Sequence, residues 1–281
     1  MNELLTKLFI FIFSRPIFFK PFYFINKLCL YAMNRVSAAS LDPKYSGEKV
    51  ALEWVLNKIH NQEEDSKELV LFDCGANYGS YTKMVLDLIK KQNTLTRIYL
   101  FEPSLICFDA LQKEFGYSIN IQLFKLGVSN KNDLAELYYS WEGSCGASLS
   151  REVMIAQGSS QQKEKIQSEQ VNLIKLDDFC QENKIEKIDF LKLDIEGYEL
   201  SALEGISDML SRKKVSFIQV EIGSASLATK CMLFDIWTML NSSYNFYLIL
   251  KHGVTQIVYK PDLECFFGAS NFLLELKRSP A

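Results

Sequence analysis

At 281 residues, 48% apolar and 23% charged, the chain has a globular composition and enough length to bury a large core unaided. That excludes a disordered, collagen-like or many-span membrane chain, and a net charge of −3 is the wrong sign for a duplex nucleic-acid binder. The seven cysteines are scattered without a C-x-x-C pair, and His60 and His252 are the only histidines, so no metal site is expected. Reduced, mostly buried thiols then point to a cytoplasmic compartment.

Residues 1–45 differ from the rest. Lys7, Arg15, Lys20, Lys27 and Arg35 against Glu3 give residues 1–40 a charge of +4, leaving −7 for the remainder. Nine of the 36 aromatics fall within residues 1–33. The apolar run Leu8–Phe13 is cut by Ser14-Arg15-Pro16 and again by Lys20-Pro21, which is too short for a spanning helix. It is also short for a signal-peptide core. Three readings stand for residues 1–40: peripheral contact with a membrane interface, a helical pair packed on the domain or on a second subunit, or the uncleaved anchor of an exported domain.

From residue 46 to 281 the pattern is that of one domain. Val50, Trp54, Val55 and Ile59 form a helical stripe over 50–60, and residues 61–68 are a polar connector. The short apolar run Leu69–Phe72 predicts a strand buried on both faces and ending at Asp73. Tyr81, Met84, Val85, Leu88 and Ile89 predict the next helix, and Ile98–Phe101 the next strand, ending at Glu102-Pro103. A helix over 105–115 and a strand over 119–124 follow. The alternation resumes with a strand over Ile188–Leu193, a helix over 200–210, a strand over Val215–Val220, a helix over 229–240 and strand-like runs at 245–250 and 271–276. This is the rhythm of a doubly wound α/β sheet. Residues 151–170, polar and poor in large apolar groups, read as a solvated loop or a lid. Asn241-Ser242-Ser243 reads as a helix end rather than a glycosylation site.

Asp73-Cys74-Gly75-Ala76-Asn77-Tyr78-Gly79 lies between a buried strand and a helix, where open α/β sheets bind ligands. Gly75 and Gly79 permit close backbone approach. Glu102, at the tip of the next strand, can accept both hydroxyls of a ribose. The central glycine of a dinucleotide loop is missing and no G-K-[ST] follows. An acid before the loop favours a ligand with an amino group over one with phosphates. S-adenosylmethionine fits, with its ammonium near Asp73 and its ribose at Glu102.

A second motif, Lys192-Leu193-Asp194-Ile195-Glu196-Gly197-Tyr198-Glu199, gathers four ionisable groups at a sheet tip, which is costly unless they are solvated, paired or used. With Asp73–Gly79, Phe101-Glu102-Pro103, Leu176-Asp177-Asp178-Phe179, Leu203-Glu204-Gly205 and the strand-ending Glu221, it makes residues 69–276 resemble the FkbM family of S-adenosylmethionine-dependent methyltransferases. The resemblance implies a class I methyltransferase (Rossmann-like) sheet, mostly parallel with a final antiparallel strand, here preceded by the N-terminal helical segment. It implies O-methylation of a hydroxyl on a sugar, glycan or natural product. The cofactor set is then Asp73, Gly75, Asn77, Gly79, Tyr81, Glu102, Pro103, Gly127 and Val128. Gly127 stands where such domains often put Ala, and is expected to enlarge the space near adenine.

Methyl transfer needs alignment of acceptor oxygen, methyl and sulfur, and a base for the hydroxyl proton. Asp194 is the first candidate, followed by Glu196, Glu199 and Glu221, with Lys192 orienting a carboxylate or the acceptor. For Lys192 and Glu199 the alternative is a fixed network that shapes the loop. Asp194 and Glu221 could instead hold a divalent ion, though no metal is assigned. A nucleotide-dependent oxidoreductase and a non-catalytic S-adenosylmethionine-binding protein are the competing functions.

Overall fold

The computed structural model describes residues 3–32, 46–61, 68–92, 94–140, 146–157, 166–264 and 269–278. Arg35, most of the connector (62–67), Cys145, residues 158–165 and Cys265 lie outside them. Helices α1 (Glu3–Phe13) and α2 (Phe19–Ala32), joined by a 3-10 turn at Pro16–Phe18, confirm a helical pair at the start of the described chain. Helix α3 (Glu48–His60) opens the domain, and the glutamate at its first position sits in a buried place.

The short apolar runs become the centre of an eight-stranded sheet among the described residues. β1 (Leu69–Cys74) is followed by α4 (Ser80–Gln92), β2 (Thr96–Phe101), α5 (Leu105–Phe115) and β3 (Ile121–Phe124). The chain then forms β4 (Gly127–Val128), β5 (Asp133–Tyr139), α6 (Arg151–Gln157), β6 (Gln167–Ile174) and α7 (Leu176–Glu182) before β7 (Ile188–Leu193). Next come α8 (Glu199–Glu204), α9 (Ser207–Ser211), β8 (Val215–Ile222), α10 (Ser224–Thr229), α11 (Leu233–Leu240), β9 (Tyr244–Leu250), β10 (Gly253–Ile257) and β11 (Ser270–Leu276). The sheet order is β10-β9-β11-β8-β7-β1-β2-β3. β3, β2, β1, β7 and β8 are mutually parallel, and β11 runs antiparallel to β8.

β1 lies between β2 and β7, so strand order reverses there and a crevice opens at the carboxyl ends. The register sets Asp73 beside Lys192 and Cys74 beside Leu193. Period-two alternation splits the core into two layers. Leu71, Ile98, Phe190 and Phe217 pack toward α3 and α4, whereas Phe72, Phe101, Leu191 and Leu193 pack toward α7 and α8. On that second face the Phe179 ring meets those of Phe101, Phe124, Phe72 and Tyr99 at 4.8–5.9 Å. Such pairs contribute about 0.5–1.5 kcal/mol each beyond their burial.

Three local expectations change. Residues 151–170 are not one loop. They include α6 and the start of β6, which centres a second sheet, three-stranded among the described residues and ordered β4-β6-β5. Val171 and Leu173 alternate with exposed Gln170 and Asn172, so β6 buries one face only and lacks the continuous apolar run of a central strand. The helix over 200–210 divides at Gly205 because Asp177 accepts hydrogen bonds from the amides of Asp208 and Met209, capping a new helix start. The helix over 229–240 divides at Lys230, which takes a left-handed conformation. Asn241 does end α11, donating to the Trp237 carbonyl at 2.6 Å.

Candidate active site

The loop after β1 turns back on β7. Gly75 has φ +83°, and a Cβ there would lie 1.9 Å from the Asp194 carbonyl oxygen, so only glycine lets the two loops approach this closely. The Asp194 amide donates to the Cys74 carbonyl at 3.1 Å, and the Gly75 amide to the Phe101 carbonyl at 2.9 Å. These bonds tie the tips of β1, β2 and β7 around a cavity of about 280 Å³.

At one end of the cavity stands Glu102. Its two carboxylate oxygens accept from the amides of Asn77 at 2.8 Å and Ser104 at 2.9 Å. Each keeps a further lone pair for a ligand hydroxyl. Burial pushes its carboxyl up to about 7 despite those amides. Asn77 reaches Glu102 by adopting a left-handed conformation, φ 49°. Beside Glu102 the wall is apolar, formed by Leu126 and Val128 with Leu137 and Leu149 from the small sheet's side.

The other end is crowded with acids. Lys192 lies 2.9 Å from Asp194 and 3.6 Å from Asp73, with its ammonium 5.0 Å from the Tyr81 ring centre. Burial pulls its ammonium toward the neutral form, but Asp194, Asp73 and Glu48 outweigh this and hold it protonated. Glu221 is pushed well above the usual carboxylate range by burial and then by Asp194, Glu196 and Glu48. Glu48 is raised by burial, opposed by Lys192. Lys192 is the one cation among the described residues that line the cavity, against Glu48, Glu102, Asp194, Glu196 and Glu221.

Gly75, Asn77, Tyr81, Glu102, Pro103, Gly127, Val128, Lys192, Asp194, Glu196 and Glu221 all line this cavity. Asp73, Gly79 and Glu199 do not, and each has a structural task instead. Asp73 lies beneath the floor, accepting from the Thr82 hydroxyl at 2.7 Å and facing Lys192, so it orients the lysine rather than meeting a ligand ammonium. A Cβ on Gly79 would meet the Phe115 and Leu111 side chains at 2.5 and 2.9 Å, so this glycine seats the loop on α5. Glu199 is buried and accepts from the amides of Ile195 and Gly197, fixing the turn that carries Glu196. That places Glu199 among the loop-shaping groups. Gly127 leaves no void, since Leu173 Cδ2 sits 2.7 Å from where its Cβ would be.

Glu48 escaped the sequence reading. It lines the cavity and accepts from the Ser46 hydroxyl at 2.7 Å and the Gln219 amide at 2.8 Å. Gln219 also donates to Asn271 and accepts from the Tyr81 hydroxyl, linking α3, α4, β8 and β11 under the floor. The available signal was a pair of polar residues, Gln219 and Asn271, inside otherwise apolar strands. His252 is exposed in the β9–β10 turn, away from the cavity lining. Among the described residues no group of three His, Cys, Asp or Glu side chains converges as a metal ion requires.

Residues 73–248, more than half of the chain, match the family model described as the methyltransferase FkbM domain. A curated relative, the 2-O-methyltransferase NoeI of Sinorhizobium fredii (strain NBRC 101917 / NGR234), is 25% identical over 182 residues, 60% of this chain and 71% of that protein. Among solved structures, methyltransferase FkbM from Methylobacillus flagellatus KT aligns at 17% identity and TM-score 0.44. That alignment covers 76% of this chain but only 45% of the Methylobacillus protein. The CMeT domain of the citrinin polyketide synthase aligns at 8% identity and TM-score 0.43, over 83% of this chain and 53% of that one.

Proposed function

Because the chain belongs to the FkbM family of S-adenosylmethionine-dependent methyltransferases, we propose that it transfers a methyl group to a hydroxyl of a sugar, glycan or natural product. The observation that carries this reading is the charge of the cavity. Carboxyl groups outnumber the single lysine in the lining, and those that ionise would repel a pyrophosphate but attract a ligand bearing a sulfonium and an ammonium. Glu102 supplies an acceptor for a ribose diol, and the Leu126, Val128, Leu137 and Leu149 wall suits a base. The nucleotide-dependent oxidoreductase is disfavoured on the same charge argument, and so is a polyanionic acceptor such as nucleic acid. The name of NoeI, a 2-O-methyltransferase, supports a hydroxyl acceptor. The buried thiols Cys74, Cys107, Cys180 and Cys231 suit a reducing, cytoplasmic setting.

When bound, S-adenosylmethionine supplies a methyl group on a cationic sulfur, open to in-line displacement. The residues of the chain position the acceptor and manage its proton. Asp194, one-third exposed and held by Lys192, takes the hydroxyl proton. Glu221, its carboxyl raised well above the usual carboxylate range by burial and the neighbouring acids, faces the acceptor beside Asp194. Glu196, on the strained turn fixed by Glu199, contacts the acceptor from the open side. Incubation with methyl-labelled S-adenosylmethionine and a panel of sugars, oligosaccharides and polyhydroxylated natural products tests this. Label in an acceptor, lost in Asp194→Asn, is expected. Tight cofactor binding with no labelled product across the panel would favour the non-catalytic alternative.

A further inference from the structure

Residues 3–32 carry more exposed apolar surface than a solvated helix pair can sustain. No residue of α1 is buried, and Leu30 is the one buried residue of α2. Fifteen large apolar or aromatic side chains between Leu4 and Tyr31 are exposed, Phe11 to 71% and Ile17 to 77%. Contiguous apolar surface of this kind marks a docking face. The pair is not loose. The rings of Phe9, Phe13, Phe18 and Phe22 meet at 4.6–6.4 Å across the elbow, which holds the two helices at 89°.

Charge identifies the occupant. Lys7, Arg15, Lys20 and Lys27 against Glu3 give these residues +3, while residues 41–281 are acidic. Lys7 and Arg15 bracket the run Leu8–Phe13. Lys20 and Lys27 are seven residues apart and share a face of α2 with Tyr23, Phe24 and Tyr31, while Phe22, Ile25 and Cys29 lie opposite. Lysines flanked by tyrosines over an apolar face match headgroups above acyl chains. The core of a protein–protein interface is instead depleted in lysine. Among the described residues no single helix is long and apolar enough to cross a membrane, and a straightened pair would carry Arg15 and Lys20 through hydrocarbon.

We propose that α1 and α2 form an L-shaped interfacial anchor that lays its apolar faces into one leaflet of an anionic bilayer, with Lys7, Arg15, Lys20 and Lys27 at headgroup level. The inference does not depend on the proposed reaction. The test is flotation of the full chain with vesicles of equimolar phosphatidylcholine and phosphatidylglycerol, and with phosphatidylcholine alone. The chain is expected to float with the anionic vesicles, and an alkaline carbonate wash is expected to release it. Lys20→Glu with Lys27→Glu should weaken partitioning by about 25-fold or more, at about fivefold per cation lost near an anionic surface. Leu8→Glu with Phe11→Glu should abolish flotation. Both variants change exposed groups, so melting temperature and S-adenosylhomocysteine affinity should stay at the values of the unmodified chain. Failure of the full chain to float overturns the anchor. If that chain is also an oligomer that Leu8→Glu with Phe11→Glu dissociates, the face joins two copies instead. Resistance to carbonate would replace the anchor with a span, and equal flotation by the variants would remove these residues from any membrane contact.

Discussion

Glu102 makes the cofactor end of the cavity titrate near neutral pH. Burial raises its carboxyl from 4.5 to about 7, against the pull of the Ser104 and Asn77 amides. A diol donates more strongly to a carboxylate than to a carboxylic acid, so the ionised form is the one that binds. Because the pKa is raised, that form is lost as pH falls through 7, and affinity falls on the acid side. A proton binding at about 7 leaves about one molecule in eleven competent at pH 6 and about three in four at pH 7.5. The apparent Kd for S-adenosylhomocysteine should therefore be about eightfold weaker at pH 6, or about 1.3 kcal/mol. Glu102→Gln turns one acceptor into an amide that faces a backbone N–H. Its affinity should drop by about 1–3 kcal/mol at pH 7.5 and by less at pH 6, so the eightfold ratio should shrink. Isothermal calorimetry at the two pH values measures both effects. An equal pH ratio in the two proteins would refute Glu102 as the titrating group, and undiminished affinity in Glu102→Gln would remove it from the site.

Asp194→Asn should lower kcat by about 10²–10⁴ while leaving the cofactor Kd within a few-fold, and normal turnover would take Asp194 out of the chemistry. Lys192→Met strips Asp73 and Glu48 of their shared cation. It should cost about 3–5 kcal/mol in urea unfolding, and an unchanged midpoint would show that these acids do not depend on the lysine. Gly75→Ala should abolish cofactor binding or folding, because its Cβ meets the rigid Asp194 carbonyl at 1.9 Å and φ is +83°. Gly127→Ala presses only on the end of the Leu173 side chain, so it should cost about 1–3 kcal/mol in thermal unfolding and keep cofactor binding. Similar losses in the two glycine variants would contradict the close-approach argument.

The parallel centre of the sheet was legible because β1, β2 and β7 are short, largely buried runs with the polar residues Asp73, Glu102 and Asp194 at or just past their tips. Those same endings located the cavity, since the carboxyl edge of a parallel sheet is where loops converge. What escaped has two physical causes. β6 buries one face, so its exposed residues, such as Gln170, made the segment look like a loop. Depth at a strand tip is also invisible in one dimension. Asp73 and Glu102 both read as strand endings, yet Asp73 lies within β1 opposite Leu100 and is sealed below the floor by Thr82 and Lys192, while Glu102 follows the last residue of β2 and opens on the cavity. Glu48 arrives from a helix 25 residues before Asp73, and only the packing of α3 against β8 brings it to Gln219. Glu199 looked catalytic because it shares a motif with Asp194, but the turn over 195–198 carries it under the loop to bind the Ile195 and Gly197 amides.

The central claim is that an acid-rich cavity between β1, β2 and β7 selects a cationic sulfur ligand over a pyrophosphate. Calorimetric titration of the full chain with S-adenosylmethionine, S-adenosylhomocysteine and NAD tests it most directly. Both sulfur ligands are expected to bind and NAD to give no heat. Binding of NAD, or silence with all three, would contradict it.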